Sequence, residues 1–135
     1  MPKILFVCHG NSCRSPMAEG LAKRILQGVD VESAGIAPLP GQGAAGDSIA
    51  VMWEYDIDIS DHQSRNVDSL PLQSYDLIIA MDSLVHRHLR DRFKLSPAKL
   101  IEWNIDDPVG KPKEAYRRCA KAIEEALRSL AGRLA

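Results

Sequence analysis

Five residues separate Cys8 from Arg14 in the run Cys8-His9-Gly10-Asn11-Ser12-Cys13-Arg14-Ser15, with Pro16 directly after it. Cysteine supplies a thiolate nucleophile, and arginine a planar fork that matches two oxygens of a phosphate. Gly10 widens the conformations open to the turn, so successive backbone N–H groups can converge on one anion. A helix expected to begin near Pro16, with Ser15 as its N-cap, adds the positive end of its dipole. In that surrounding Cys8 favours the thiolate and is poised for in-line attack at phosphorus. His9, Gly10, Asn11, Ser12, Cys13, Arg14 and Ser15 would form the phosphate-binding cradle. The plainer alternative is a strand-end cysteine packed as core, beside an unrelated surface arginine. Placement of Cys-x5-Arg-Ser between a buried strand and a helix start favours the cradle. A zinc site on Cys8, His9 and Cys13 lacks the further ligands that tetrahedral coordination needs, so no metal is expected.

A second group supplies acid–base chemistry. A departing oxygen or nitrogen needs a proton, and a positioned carboxyl contributes ~10²–10⁴-fold. Asp107 precedes Pro108, which biases it toward extended backbone and helps aim it out of its loop. Asp106 is the competitor, and adjacent carboxylates favour a proton on one of them. An Asp-Pro turn alone is commonplace. It gains weight from the Cys8–Arg14 turn in the same chain. His62 reads as a structural histidine, His9 as a loop residue, and His86 and His88 as surface helix residues. Cys119 falls on the apolar face of the last helix, and core packing is its expected role. Trp53 and Trp103 read as packing residues. Arg87, Arg90, Arg92 and Lys94 read as a solvated helix face.

The elements that must position these groups follow from periodicity. Ile4-Leu5-Phe6-Val7 is an apolar run without alternation, the pattern of a strand buried on both faces. Ala18, Leu21, Ala22, Ile25 and Leu26 recur at helical spacing up to Gly28, and residues 29–34 read as a second strand. A Gly/Pro/Ala-rich loop spans 35–46, and a helix starts at Asp47 and runs through Tyr55. Residues 56–71 hold short helical turns at most. Strands follow at 75–81 and 100–101, helices at 83–93 and 113–134, and a loop at 104–111 carries Asp106-Asp107-Pro108. The sum is an α/β three-layer sandwich on a four-stranded parallel sheet, one domain over 1–135, with ligand chemistry at the carboxyl ends of the strands.

Composition narrows the function classes. The chain has 135 residues, 45% hydrophobic and 26% charged, as in ordinary globular proteins. With 17 Lys+Arg against 18 Asp+Glu the net charge is -1, which argues against nucleic acid as a partner. No apolar run is long enough to span a bilayer, so no membrane partner is expected and the location is expected to be cytoplasmic. Three cysteines do not make a disulfide framework.

The stretch from Val7 through Cys8-His9-Gly10-Asn11-Ser12-Cys13-Arg14-Ser15-Pro16-Met17-Ala18 to Glu19 resembles the signature of the low-molecular-weight protein tyrosine phosphatase family. The resemblance continues through Ser33-Ala34-Gly35, His62, the Asp76–Asp82 stretch and Asp107-Pro108. It implies the phosphatase I-like fold and hydrolysis of phosphoprotein or aryl phosphate monoesters, phosphotyrosine first, through a phosphocysteine and without a cofactor. Phosphate, sulfate or arsenate would occupy the loop. Cys8 would be the nucleophile, Arg14 the phosphate clamp, and Asp107 the acid that then activates water. Asn11, Ser15, Ser33 and His62 match the family's loop-supporting polar network, and Ser15 would donate to the Cys8 thiolate. Cys13 matches a second loop cysteine that can form a disulfide with the first on oxidation.

Substrate choice stays open within this superfamily. Tyrosine-specific members place aromatic rings where this chain has Gly35-Ile36-Ala37-Pro38-Leu39 and Val109-Gly110. Ser12 stands where those enzymes carry a branched apolar residue and where a phosphoarginine-directed bacterial branch carries Thr. Thioredoxin-coupled arsenate reductases share the loop, and residues 56–62 and 103–111 look more like that branch. Their two relay cysteines have no counterpart in residues 80–89, which favours hydrolysis over reduction. A non-catalytic phosphoprotein-binding module would not need Cys8, Arg14 and Asp107 together.

Overall fold

Ile4, Phe6 and Cys8 pack into one apolar cluster, while Leu5 and Val7 pack into another. All five are buried, so the first strand is covered on both faces, as its unbroken apolar run implies. In this computed structural model residues 1–39 and 41–134 are described; Pro40, inside the expected 35–46 loop, lies outside them.

The order is β1 (Lys3–Cys8), α1 (Arg14–Ile25), β2 (Asp30–Gly35), α2 (Gly46–Trp53), two short 3-10 turns (Val67–Ser69 and Leu72–Ser74), β3 (Leu77–Ala80), α3 (Ser83–Phe93), β4 (Leu100–Glu102) and α4 (Lys113–Leu134). The four strands form one parallel sheet ordered β2-β1-β3-β4. Residues of α1, α2 and α4 cover the Ile4/Phe6 face, and residues of α3 and the 3-10 turns cover the Leu5/Val7 face. The chain leaves β1 for β2 on one side and reaches β3 on the other, so β1 lies at the switch in strand order. Cys8 ends β1 there, and Asp82 and Asp107 follow the ends of β3 and β4. No helix among the described residues is long and apolar enough to cross a membrane.

Three expectations are corrected. Helix α1 begins at Arg14 rather than near Pro16; Cys13 holds the N-cap position, without a side-chain cap bond. Pro16 falls inside the first turn, where a missing N–H leaves no helical bond unmade. Ser15, expected as the cap, turns its hydroxyl to Cys8 and Asn11 instead. Trp53 ends α2 at 57% exposure and is not a packing residue, whereas Trp103 packs on Phe6 with ring centroids 5.8 Å apart. Gly10 does not supply the unusual backbone of the loop: the left-handed residue there is Asn11, at φ 53°.

Candidate active site

The loop from Cys8 to Cys13 commits its carbonyls outward. Ile36 N–H donates to the Cys8 carbonyl at 3.1 Å, Ala37 N–H to that of His9 at 2.9 Å, and Ala45 N–H to that of Ser12 at 2.8 Å. The Asn11 carbonyl accepts from Ser64 Oγ at 2.7 Å and meets His62 Nε2 at 2.7 Å. Because that carbonyl can only accept, His62 Nε2 is the donor. In a planar trans peptide the N–H points opposite to its C=O. The N–H groups of His9, Gly10, Ser12 and Cys13 therefore turn away from those outer donors, into the loop. Sequence spacing implied the cradle; these outside donors build it.

Asn11 is the hub of the loop. It is fully buried, and φ 53° is a costly conformation for a residue with a side chain. Its Nδ2 donates to Ser15 Oγ at 2.8 Å and Ser33 Oγ at 3.0 Å, and its Oδ1 accepts from Arg65 N–H at 3.0 Å. The backbone N–H of Asn11 points at Cys8 Sγ at 3.2 Å, and Ser15 Oγ lies 2.9 Å from the same sulfur. The structure thus brings Cys8, Asn11, Ser15, Ser33 and His62 together. Gly35 permits the approach: a Cβ there would lie 2.8 Å from the His9 carbonyl oxygen and 3.0 Å from Asn11 Cβ.

Arg14 is 2% exposed and aimed by two acceptors, Asp82 Oδ2 at 2.7 Å and the Ile105 carbonyl at 2.8 Å. Burial works against the Arg14 charge, but the bond to Asp82 and the neighbouring Cys8 and Asp107 together outweigh it. Burial also opposes ionisation of Asp82, but the Val85 backbone N–H and the Arg14 guanidinium hold its carboxyl below the usual range. Asp82 also caps α3, through Val85 N–H to Oδ1 at 2.9 Å. Asp107 Oδ2 lies 3.8 Å from Arg14 Nη2, and its half-exposed side chain faces the same guanidinium. Asp106 makes no ion pair with Arg14. The loop behind Asp107 and the start of α4 enclose a cavity of about 190 Å³ that Cys119 and Arg118 also line.

The other cysteines sit behind the loop. The Cys13 thiol donates to Tyr116 Oη at 3.8 Å, and burial pushes that thiol up. Burial pushes Cys119 up to about 12, consistent with core packing. His9 is exposed in the loop, and His86 and His88 lie part-buried on α3. No cluster of metal-ligating side chains is found among the described residues.

Sequence reasoning missed Asp82, Glu19, Ser64 and Arg65. Asp82 carried a readable signal, an Asp between a buried strand and a helix start. The remaining three act through contacts 14 to 54 residues distant, which no local pattern encodes.

The family model described as "Low molecular weight phosphotyrosine protein phosphatase" matches residues 3–135. A probable low molecular weight protein-tyrosine-phosphatase, EpsP of Ralstonia solanacearum, is 37% identical over 132 residues, covering 92% of this chain and 85% of its own. An arsenate reductase of Staphylococcus aureus is 40% identical over 126 residues, covering 92% of each. Among solved structures, the YwlE arginine phosphatase from Geobacillus stearothermophilus superposes with a TM-score of 0.91 at 32% identity, over 99% of this chain and 93% of that one. A sheet-end cysteine loop with a buried arginine and a carboxylate opposite defines a class of phosphoryl-handling enzyme. Within it, the chain belongs to the low molecular weight phosphotyrosine protein phosphatase family.

Proposed function

We propose that the chain hydrolyses phosphate monoesters of phosphoproteins or aryl phosphates through a phosphocysteine on Cys8. The observation that carries this reading is the convergence on Cys8 Sγ of the Asn11 N–H and the Ser15 hydroxyl, beside an Arg14 that Asp82 and the Ile105 carbonyl hold in place. Both groups point at the sulfur that attacks phosphorus. Arg14 and the inward amides of His9, Gly10, Ser12 and Cys13 bind the phosphoryl oxygens and neutralise charge as the transfer proceeds. Sulfur forms a bond to phosphorus as the ester oxygen leaves and takes the proton of Asp107. The Asp107 carboxylate then removes a proton from water, which attacks phosphorus and releases inorganic phosphate and the Cys8 thiolate. Asn11, Ser15, Ser33 and His62 keep the loop in shape.

Phosphotyrosine is the first substrate in this reading, on the strength of the family and of the EpsP likeness. A second reading, phosphoarginine, draws on Ser12, on the exposed aliphatic Leu39 and Val109, and on the likeness to the arginine phosphatase. Neither of those two positions carries an aromatic ring to sandwich a phenol. Arsenate reduction has the likeness to the S. aureus protein in its favour. Against it stand residues 80–89, which hold no cysteine to act as a relay, and Cys119, which is buried and pushed toward protonation. Initial rates on an aryl phosphate, phosphoarginine and arsenate, with one preparation and its Cys8→Ser variant, test all three. Hydrolysis of the first substrate, lost in Cys8→Ser, is the expected result; thiol-dependent arsenite formation faster than any hydrolysis would overturn it.

Cys13 is proposed as the oxidation partner of Cys8. Peroxide should inactivate the wild type reversibly, with recovery by a dithiol, and should inactivate Cys13→Ser largely irreversibly. Equal recovery of the two would remove Cys13 from that role.

A further inference from the structure

The side chain of Asn11 orients the two serines beside it. Oδ1 accepts from the Arg65 backbone N–H at 3.0 Å, which sets the amide's orientation. Both Nδ2 hydrogens are then committed, to Ser15 Oγ at 2.8 Å and to Ser33 Oγ at 3.0 Å. Each serine, having accepted, has one proton to give. Ser15 has two acceptors for its proton, Cys8 Sγ at 2.9 Å and the Ala34 carbonyl at 3.4 Å, and the shorter contact is to the sulfur; Ser33 donates to Glu19 Oε1 at 2.7 Å. An unbroken chain of hydrogen bonds therefore runs from the Glu19 carboxylate to the sulfur.

Ser33 is 2% exposed, and Glu19 is the acceptor for its proton. The other Glu19 oxygen, Oε2, reaches solvent and pairs with Lys23 Nζ at 3.2 Å. Glu19 lies one helical turn beyond Ser15 on α1, so the helix that delivers Arg14 and Ser15 to the site also delivers this carboxylate. We propose that Glu19 is a positioning residue for the nucleophile, acting through Ser33 and Asn11. It holds the Ser33 hydroxyl as an acceptor for the Asn11 amide. That bond in turn keeps Asn11 in the left-handed turn that aims its own N–H, and the Ser15 hydroxyl, at Cys8.

Two effects of Glu19 on Cys8 have opposite signs. Through space, an anion opposes a second anion and would make the sulfur less reactive. Through the bonds, it organises the two donors and makes the sulfur more reactive. Lys23 offsets the first effect at the solvent end, and short bonds in a buried chain strengthen the second. The bonded effect dominates.

The proposal rests on Cys8 as the nucleophile, but its test reads the sulfur without turnover. The measurement is the alkylation rate of Cys8 by iodoacetamide at a fixed, mildly acidic pH, resolved by peptide mass spectrometry. Glu19→Ala should slow alkylation by roughly three- to tenfold, the factor that one ordinary hydrogen bond supplies. Glu19→Gln keeps an acceptor oxygen for Ser33 and should slow it by about twofold or less. Lys23→Ala removes only the offsetting charge and should slow it by less than Glu19→Ala does. In a Ser33→Ala background, neither Glu19 substitution should slow it further. If Glu19→Ala does not fold, Glu19→Gln with and without Ser33→Ala carries the same comparison. Faster alkylation in either Glu19 variant would show that through-space repulsion dominates and overturn the proposal. Equal slowing with and without Ser33 would overturn it too. An absence of phosphatase turnover with this alkylation pattern intact would count against the catalytic reading alone.

Discussion

Asp107 and Asp106 are neighbours in sequence, yet only Asp107 reaches the guanidinium of Arg14, at 3.8 Å. That difference separates their expected roles. Asp107→Asn should slow hydrolysis of a substrate with a poor leaving group by ~10²–10⁴-fold, and that of an activated aryl phosphate much less. Asp106→Asn should be the milder of the two with both substrates. Steady-state rates on a matched pair of esters check this, and the reverse ranking would reassign the acid. At the same scale, the described buried polar side chains are Asn11, Arg14, Ser15, Ser33, Ser48 and Ser64, and all but Ser48 belong to the loop and its supports. Buried polar groups are kept where each finds a partner. Ser48 Oγ is the exception: it makes no hydrogen bond of good geometry, although it lies beside the Cys13 thiol.

At the scale of elements, the segment after β2 shapes the loop as much as α1 does. Gly35 pairs with Cys8 across the sheet, and the next two residues bind the Cys8 and His9 carbonyls. Gly35→Ala places a Cβ against backbone that cannot rotate away, so the loop must shift. Inhibition by inorganic phosphate should weaken at least severalfold while the melting temperature falls by only a few degrees. Gly10→Ala meets only Ser12 Oγ, at 3.6 Å, and should leave phosphate inhibition unchanged. A tolerated Gly35→Ala would contradict the close approach. The sheet and both later helices were legible in the sequence because their signals are local: an apolar run without alternation for β1, a basic, polar stretch for α3 and helical periodicity for α4. The Cys8, Arg14 and Asp107 constellation was legible because its context is local as well. The start of α1 was not, since Ser15 has the composition of a cap and only the distant Asn11–Ser33 contact shows that its hydroxyl is engaged elsewhere. Trp53 was misjudged because apolar character does not say which face of a short helix is covered. Asp82 is readable as a helix cap, but its contact with Arg14, like those of Glu19 with Ser33 and of Arg65 with Asn11, joins segments that no local pattern links.

For the whole molecule, the same ion pairs that organise the site link stability to pH. Asp82 is held below the ordinary carboxylate range in the folded state, for the reasons given above. Glu32 is too: burial opposes its ionisation, but Tyr75, Arg65 and Lys3 outweigh it. A carboxyl depressed on folding contributes stability that is complete above its unfolded value, about 3.9 for Asp and 4.3 for Glu, and is lost as pH falls through the lower folded value. Urea unfolding should therefore show constant free energy from these groups near neutrality and a decline below about pH 4. Asp82→Asn should flatten part of that decline; a variant as acid-sensitive as the wild type would contradict the assignment. The central claim, covalent transfer to Cys8, is tested most directly by acid-quenching Asp107→Asn during turnover of an activated aryl phosphate and mapping the protein by mass spectrometry. Loss of the base that activates water should let the intermediate accumulate, so the account predicts one phosphoryl group on the Cys8 peptide and none in the Cys8→Ser, Asp107→Asn double variant. Sustained hydrolysis with Cys8 unmodified, or with Cys8→Ser as active as the wild type, would contradict it.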